Sequence, residues 1–134
     1  AFGLVALYRA TGTGRWLDAA NRLARRMIAD FWDAENGGFF YTSAAHRHLL
    51  VRMKPAYDGA VPSGNAAAVR LLLRLAQCVE DSTYTELGYR VIACLHDSMR
   101  SHPRAHLDLL RAVVDVGHSG PENLFAGSRD KSDT

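Results

Sequence analysis

Gly64-Asn65-Ala66-Ala67-Ala68-Val69-Arg70-Leu71-Leu72-Leu73-Arg74-Leu75-Ala76-Gln77-Cys78-Val79 is the stretch on which the fold turns. Read as a helix, it carries Val69, Leu72, Leu73 and Ala76 on one face and Leu71, Leu75 and Cys78 on another, so it demands burial on two sides. The residues in front of it, Asp58-Gly59-Ala60-Val61-Pro62-Ser63, supply its start. Gly59 and Gly64 free the backbone, Pro62 stiffens the approach and Ser63 is a favoured N-cap. A carboxylate, Asp58, and an amide, Asn65, therefore stand at a helix N-terminus, where a polar ligand can be held.

Outward from this helix the pattern repeats. A fourth helix, from about 83 to 99, is amphipathic through Tyr84, Leu87, Val91 and Leu95, with Ser82 available as its cap. Upstream, the first residues are apolar all round as far as Gly12, and a second helix from about Arg15 is amphipathic through Trp16, Ala20, Leu23, Met27 and Phe31. Leu7-Tyr8-Arg9-Ala10 then corresponds to Leu72-Leu73-Arg74-Leu75, and Trp16 to Tyr84. Each copy is a helical hairpin whose first helix is apolar all round and whose second is amphipathic, as an inner and an outer ring require. The expected fold class is all-α: a partial (α/α) toroid of about five helices. A fifth helix opens at Pro103 and carries Leu107, Leu110, Val113 and Val114. Between the second and third helices, Gly37-Gly38-Phe39-Phe40-Tyr41-Thr42 reads as a turn entering a short β-hairpin in a long loop. Residues 1–118 are taken as the partial barrel. Residues 119–134 are taken as a C-terminal extension with a short strand at 123–126 and a frayed tail after Ser128. Six such hairpins would need roughly three times this length, so the chain reads as an arc of a ring.

Phe31-Trp32-Asp33, Gly37-Gly38-Phe39-Phe40, Arg52-Met53-Lys54, the segment from Asp58 to Asn65, and Leu72-Leu73-Arg74-Leu75 follow one another in an order that resembles the spermatogenesis-associated thioredoxin-like proteins. The tail, Phe125-Ala126-Gly127-Ser128, is similar to that family's glycine-containing segment after the barrel. The resemblance implies a longer protein that pairs an N-terminal thioredoxin-like domain with an α/α barrel related to six-hairpin glycosidases and N-acylglucosamine 2-epimerases. It further implies a carbohydrate-binding or sugar-processing role, epimerase-like or glycosidase-like, for the intact protein. The alternative is a non-catalytic helical scaffold or interaction module that supports the thioredoxin-like domain. Two departures weigh against catalysis. Pro55 follows Lys54 where relatives carry an acidic residue, and Ala66 follows Asn65 where a serine is usual. No Cys-x-x-Cys occurs, so redox activity is not credited to this chain, and no turnover is expected from it alone.

The site candidates each admit two readings. Asp58, the best catalytic candidate, is placed to bind a sugar hydroxyl or act as a general base, or else to close an Asx-turn with Gly59 and Ala60. Asp33 and Glu35 read as turn residues beside Gly37 and Gly38. Arg52 and Lys54 suit an anionic or polyhydroxylated ligand, or pairing with surface acids. Trp32 and Tyr41 suit stacking on a sugar ring, or packing into the core beside Phe39 and Phe40. Asn65 is taken as a further ligand contact, and Ser63 as a cap. His102 and His106, four apart, and His46 and His48 lack a third ligand, so all are read as surface histidines, and neither a metal nor a cofactor is expected.

Composition sets the remaining bounds. The chain has 134 residues, 48% hydrophobic and 22% charged, which fits one globular unit. Sixteen basic residues against 14 acidic ones give a net charge of +2, too small to announce a nucleic-acid or membrane partner. Cys78 and Cys94 fall on successive helices roughly 15 Å apart, beyond disulfide reach, and are expected to be free, buried thiols in a reducing, cytoplasmic setting. The partners expected are a carbohydrate ligand and either the rest of a longer protein or a second copy, because the first and third helices both need cover on two faces.

Overall fold

A computed structural model describes residues 1–45, 51–79 and 81–119. The strand expected at 123–126, the tail after Ser128, and His46 and His48 lie outside the described residues. Five helices form: α1 (Phe2–Thr11), α2 (Gly14–Phe31), α3 (Gly64–Ala76), α4 (Ser82–Ser101) and α5 (Leu107–Ser119). None of the described helices is long and apolar enough to cross a membrane.

α1 stops at Gly12, whose left-handed φ of 66° lets its N–H reach back to the Tyr8 carbonyl. α2 follows at once and packs on α1, and α4 packs on α3 in the same way, so the four helices make two hairpins. α3 lies between α1 and α5. Across the second layer, the Tyr84 hydroxyl of α4 donates to Asn21 Oδ1 of α2. The expected two-sided burial of α3 is met by Val69, Leu71, Leu72, Leu73 and Leu75, all buried, while Ala76 is half-buried and the helix ends there, short of Cys78 and Val79. Leu72 and Leu75 are wholly enclosed, each contributing about 1.5–3 kcal/mol of transfer free energy. On α4, Tyr84, Leu87, Val91 and Leu95 form the core face as the periodicity requires.

Several expectations are corrected. α1 buries only Val5, and Leu7 is 44% exposed, because α1 has α2 and α3 beside it but no helix on its remaining side among the described residues. On α2 Ala20 is buried and Met27 and Phe31 pack partly against the core as expected, but Ala24 is buried where Leu23 was expected and Leu23 is left exposed. The last helix is out of register with its apolar pattern. Pro103–His106 makes a 3-10 turn first, so Leu109 and Ala112 of α5 face inward while Leu107 is exposed. Asp81 rather than Ser82 caps α4, accepting from the Thr83 N–H. Cys94 is exposed and Cys78 half-buried, both as free thiols.

No strand occurs among the described residues; where a hairpin was expected, Trp32 and Phe39 make one isolated antiparallel bridge. The bridge is held by the Phe40 N–H donating to the Phe31 carbonyl at 2.9 Å and the Asp33 N–H to the Gly38 carbonyl at 3.0 Å. On the opposite edge Asn65 Oδ1 accepts the Phe39 N–H at 2.7 Å and Asn65 Nδ2 donates to the Phe39 carbonyl at 3.0 Å, so a side chain stands where a further strand would pair.

Candidate functional site

The described part of the loop from Trp32 to Ser63 lies across the start of α3 and against α4, and all the sequence-predicted site residues belong to it or to the first turn of α3. Its entry is a tight turn organised by Asp33. The Asp33 carboxylate accepts from the N–H groups of Glu35 and Asn36 and from the Asn36 side chain, and Lys54 Nζ approaches it at 2.5 Å. Paired with the Lys54 ammonium and bonded to these amides, the carboxyl is held well below the usual carboxylate range despite the opposing cost of its burial. Lys54 also donates to the Gly37 carbonyl at 2.7 Å.

Gly37 and Gly38 are needed here for two reasons. Both have φ near +80°, at 76° and 80°. A Cβ on Gly37 would stand 2.9 Å from the Arg90 carbonyl oxygen of α4, a backbone atom that cannot swing aside. The turn thus sits directly on α4. Arg90 returns the contact, donating to the Ala34 carbonyl at 2.7 Å and lying over the Trp32 ring at 5.0 Å. Trp32 meets Phe39 edge-on at 5.1 Å and is half-buried.

Arg52 turns inward upon the loop. Its guanidinium donates to the Thr42 carbonyl at 2.5 Å and to the Asp30 carbonyl at 3.4 Å, and lies 4.0 Å over the Phe40 ring. Asn65 is 1% exposed, and besides Phe39 it donates to the Pro55 carbonyl at 3.0 Å, so its amide is fully engaged. Asp58 does not close a turn on Gly59 and Ala60. One oxygen accepts the Ser63 N–H at 2.8 Å and the other the Asp108 N–H at 2.8 Å, while the Asp58 N–H donates to the Ala105 carbonyl at 2.7 Å. It therefore ties the approach to α3 to the first turn of α5, a position where helix N–H groups and dipole both favour a carboxylate. Ser63 caps α3 as expected, accepting from the Ala66 N–H at 3.2 Å.

The structure thus gathers Trp32, Arg52, Lys54 and Asn65 around the loop and sets Asp58 apart, at the start of α5. Tyr41 stands outside the group. The residue is 76% exposed, as are Val51 and Met53 to a similar degree, and its N–H donates to the Met53 carbonyl at 2.7 Å.

One residue was read in part from sequence and one misjudged. Asp33 is the turn residue expected, but it is also buried and paired with Lys54, which residue spacing did not show. His106 is not a surface histidine. It is fully buried, its Nε2 is 2.9 Å from the Ser98 Oγ, its ring is tilted against Tyr57 at 5.2 Å, and its Nδ1 lacks a hydrogen-bond partner among the described residues. Nothing in the local sequence signals that burial, which follows from the 3-10 turn. Among the described residues no group of three or more His, Cys, Asp or Glu side chains is arranged to hold a metal ion.

This assembly of loop and helices has relatives. The chain is 30% identical over 133 residues to spermatogenesis-associated protein 20 of Homo sapiens, and 29% identical to the proteins of that name from Rattus norvegicus and Mus musculus. Each match covers 98% of this chain and 17% of the relative, so the chain spans about a sixth of the length of the proteins it matches. No protein-family model matches the sequence.

Proposed function

We propose that this chain is a non-catalytic structural arc, a scaffold segment of an α/α ring within a longer protein similar to spermatogenesis-associated protein 20. The observation that carries the reading is the state of the polar residues in the loop. Every hydrogen-bonding group of the Asn65 amide that faces the loop is spent on Phe39 and Pro55. Both Asp58 oxygens are spent on the starts of α3 and α5. Lys54 is spent on Asp33 and Gly37, and Arg52 on Thr42. A sugar-binding or sugar-processing reading would require these groups to let go of backbone partners, leaving buried N–H and C=O groups unpaired at about 1–3 kcal/mol each. Of the loop's three carboxylates, Asp33 is committed to Lys54, Asp58 to the helix starts, and Glu35 is exposed on the entry turn, so no two are held together as an acid and base pair.

Titration calorimetry of the chain against a panel of mono- and disaccharides tests this reading. No saturable heat is expected with any sugar, and Asp58→Ala is expected to lower the thermal midpoint. Saturable sugar binding that disappears in a folded Asp58→Ala or Arg52→Ala variant would overturn it.

A further inference from the structure

An apolar groove of about 560 Å³ runs between α4 and α5, lined by Tyr89, Ile92, His96, Met99, Arg100, Leu110 and Val113. On α4 these residues form a stripe beside the core face of Tyr84, Leu87, Val91 and Leu95, so α4 carries a second, adjoining surface that asks for cover. On α5, Leu110 and Val113 flank the buried Leu109 and Ala112 in the same way. Among the described residues no helix lies in the groove.

The repeat says what belongs there. α4 packs along α3, its hairpin partner, and is bonded sideways to α2 through Tyr84 and Asn21. Advance the pattern by one hairpin and α5 takes the place of α3, while α4 takes the place of α2. The place of α4 then falls on this groove. We infer that the groove between α4 and α5 is the docking seat of one further amphipathic helix in the outer-helix position, supplied by another part of the longer protein, with acidic residues flanking its apolar stripe. The charge preference comes from Arg100, the permanently charged member of a lining that contains no carboxylate; His96 is already met by Asp97 at 3.2 Å. The inference rests on the scaffold reading above and gives that scaffold its partner.

The test uses the full chain and a synthetic helix of about 18 residues with leucines at i, i+3, i+4 and i+7 and glutamates beside them. Fluorescence anisotropy is expected to show saturable binding with a Kd on the order of 100 µM, with NMR shifts confined to Tyr89, Ile92, Leu110 and Val113. A scrambled peptide of the same composition should not bind. Ile92→Asp should weaken binding at least about tenfold. Arg100→Glu should weaken the glutamate peptide and restore binding to a lysine-flanked version, a reversal that misfolding cannot mimic. Three results would each overturn the inference: no binding by the folded chain to either peptide, equal binding of the scrambled peptide, or a homodimer by ultracentrifugation whose interface is abolished by Ile92→Asp. Sugar binding bears on the scaffold reading alone and leaves these peptide results to stand or fall separately.

Discussion

The two helical hairpins are written with the same pattern and end in different states. α3 buries eight of its residues, while α1, whose sequence is apolar on every side, buries Val5 alone. Their composition does not explain this; their neighbours do. Among the described residues α3 packs against α4 and α5 most extensively and also meets α1 and α2, whereas α1 packs mainly on α2 and less on α3. In a repeat, burial belongs to the interface between units, and the same residue type is worth more in the middle of the array than at its edge.

The sharpest way to break the comparison is to truncate equivalent residues. Leu72 and Leu7 occupy matching places in the two copies. Leu72 is wholly buried and Leu7 is 44% exposed. Urea denaturation of Leu72→Ala should show a loss of about 2–5 kcal/mol, because a cavity opens where no neighbour can collapse. Leu7→Ala should cost about 1 kcal/mol or less. Equal losses would mean that α1 is as enclosed in solution as α3, and the edge would have to be covered by something else.

A smaller effect is expected from the residue that joins loop to hairpin. Asn65→Ala removes the acceptor for the Phe39 N–H and the donor to the Phe39 and Pro55 carbonyls, leaving buried backbone groups unpaired. We expect a loss of about 2–3 kcal/mol. Asn65→Asp should be nearly as damaging, since it keeps the acceptor but loses both donated bonds. Hydrogen exchange should show the Phe39 amide losing protection in Asn65→Ala and keeping more of it in Asn65→Asp, which retains the acceptor, while the amides of α4 keep theirs in both. Retained protection at Phe39 in Asn65→Ala would show that another group pairs it.

The second hairpin was the more legible of the two. Its helices, their core faces and the Ser63 cap follow from apolar spacing and from one serine, since two-sided burial leaves little freedom in how α3 is used. The pairing of Leu7 with Leu72 was legible as a repeat, but the exposure of Leu7 was not, because it depends on what stands beside α1. The register of α5 failed for a local reason. Proline at 103 suits a 3-10 turn as well as the first turn of an α-helix, and that turn rotates Leu109 inward and Leu107 out. In the loop, sequence named the polar residues that matter but not their partners. Asp58, Asn65, Lys54 and Arg52 reach partners up to 50 residues away or bind main-chain atoms, and neither kind of contact leaves a trace in residue spacing.

The smallest difference between the hairpins lies at the starts of their amphipathic helices, and it sharpens the comparison without touching the core. α4 begins under a side-chain cap, the Asp81 carboxylate accepting from the Thr83 N–H at 3.0 Å, whereas Thr13 at the start of α2 makes no such bond. Asp81→Ala should therefore lower the thermal midpoint by about 5 °C or less, and Thr13→Ala should leave it nearly unchanged. The two caps also differ in acid. The hydroxyl and N–H of Thr83 hold the Asp81 carboxyl below its ordinary value of 3.8, with Arg25 nearby adding to the effect. A carboxyl whose pKa is lower in the folded state stabilises it above the unfolded value, and that contribution is lost as the pH falls below about 3.8 towards the folded value. The gap in midpoint between the parent chain and Asp81→Ala should accordingly be constant from neutral pH down to about 5 and narrow below 4. Asp81→Asn, which keeps an acceptor oxygen without the charge, should show little of this pH dependence. A gap between parent and Asp81→Ala that stayed constant through pH 3 would mean that the charge of Asp81 is not what distinguishes the start of α4 from the start of α2.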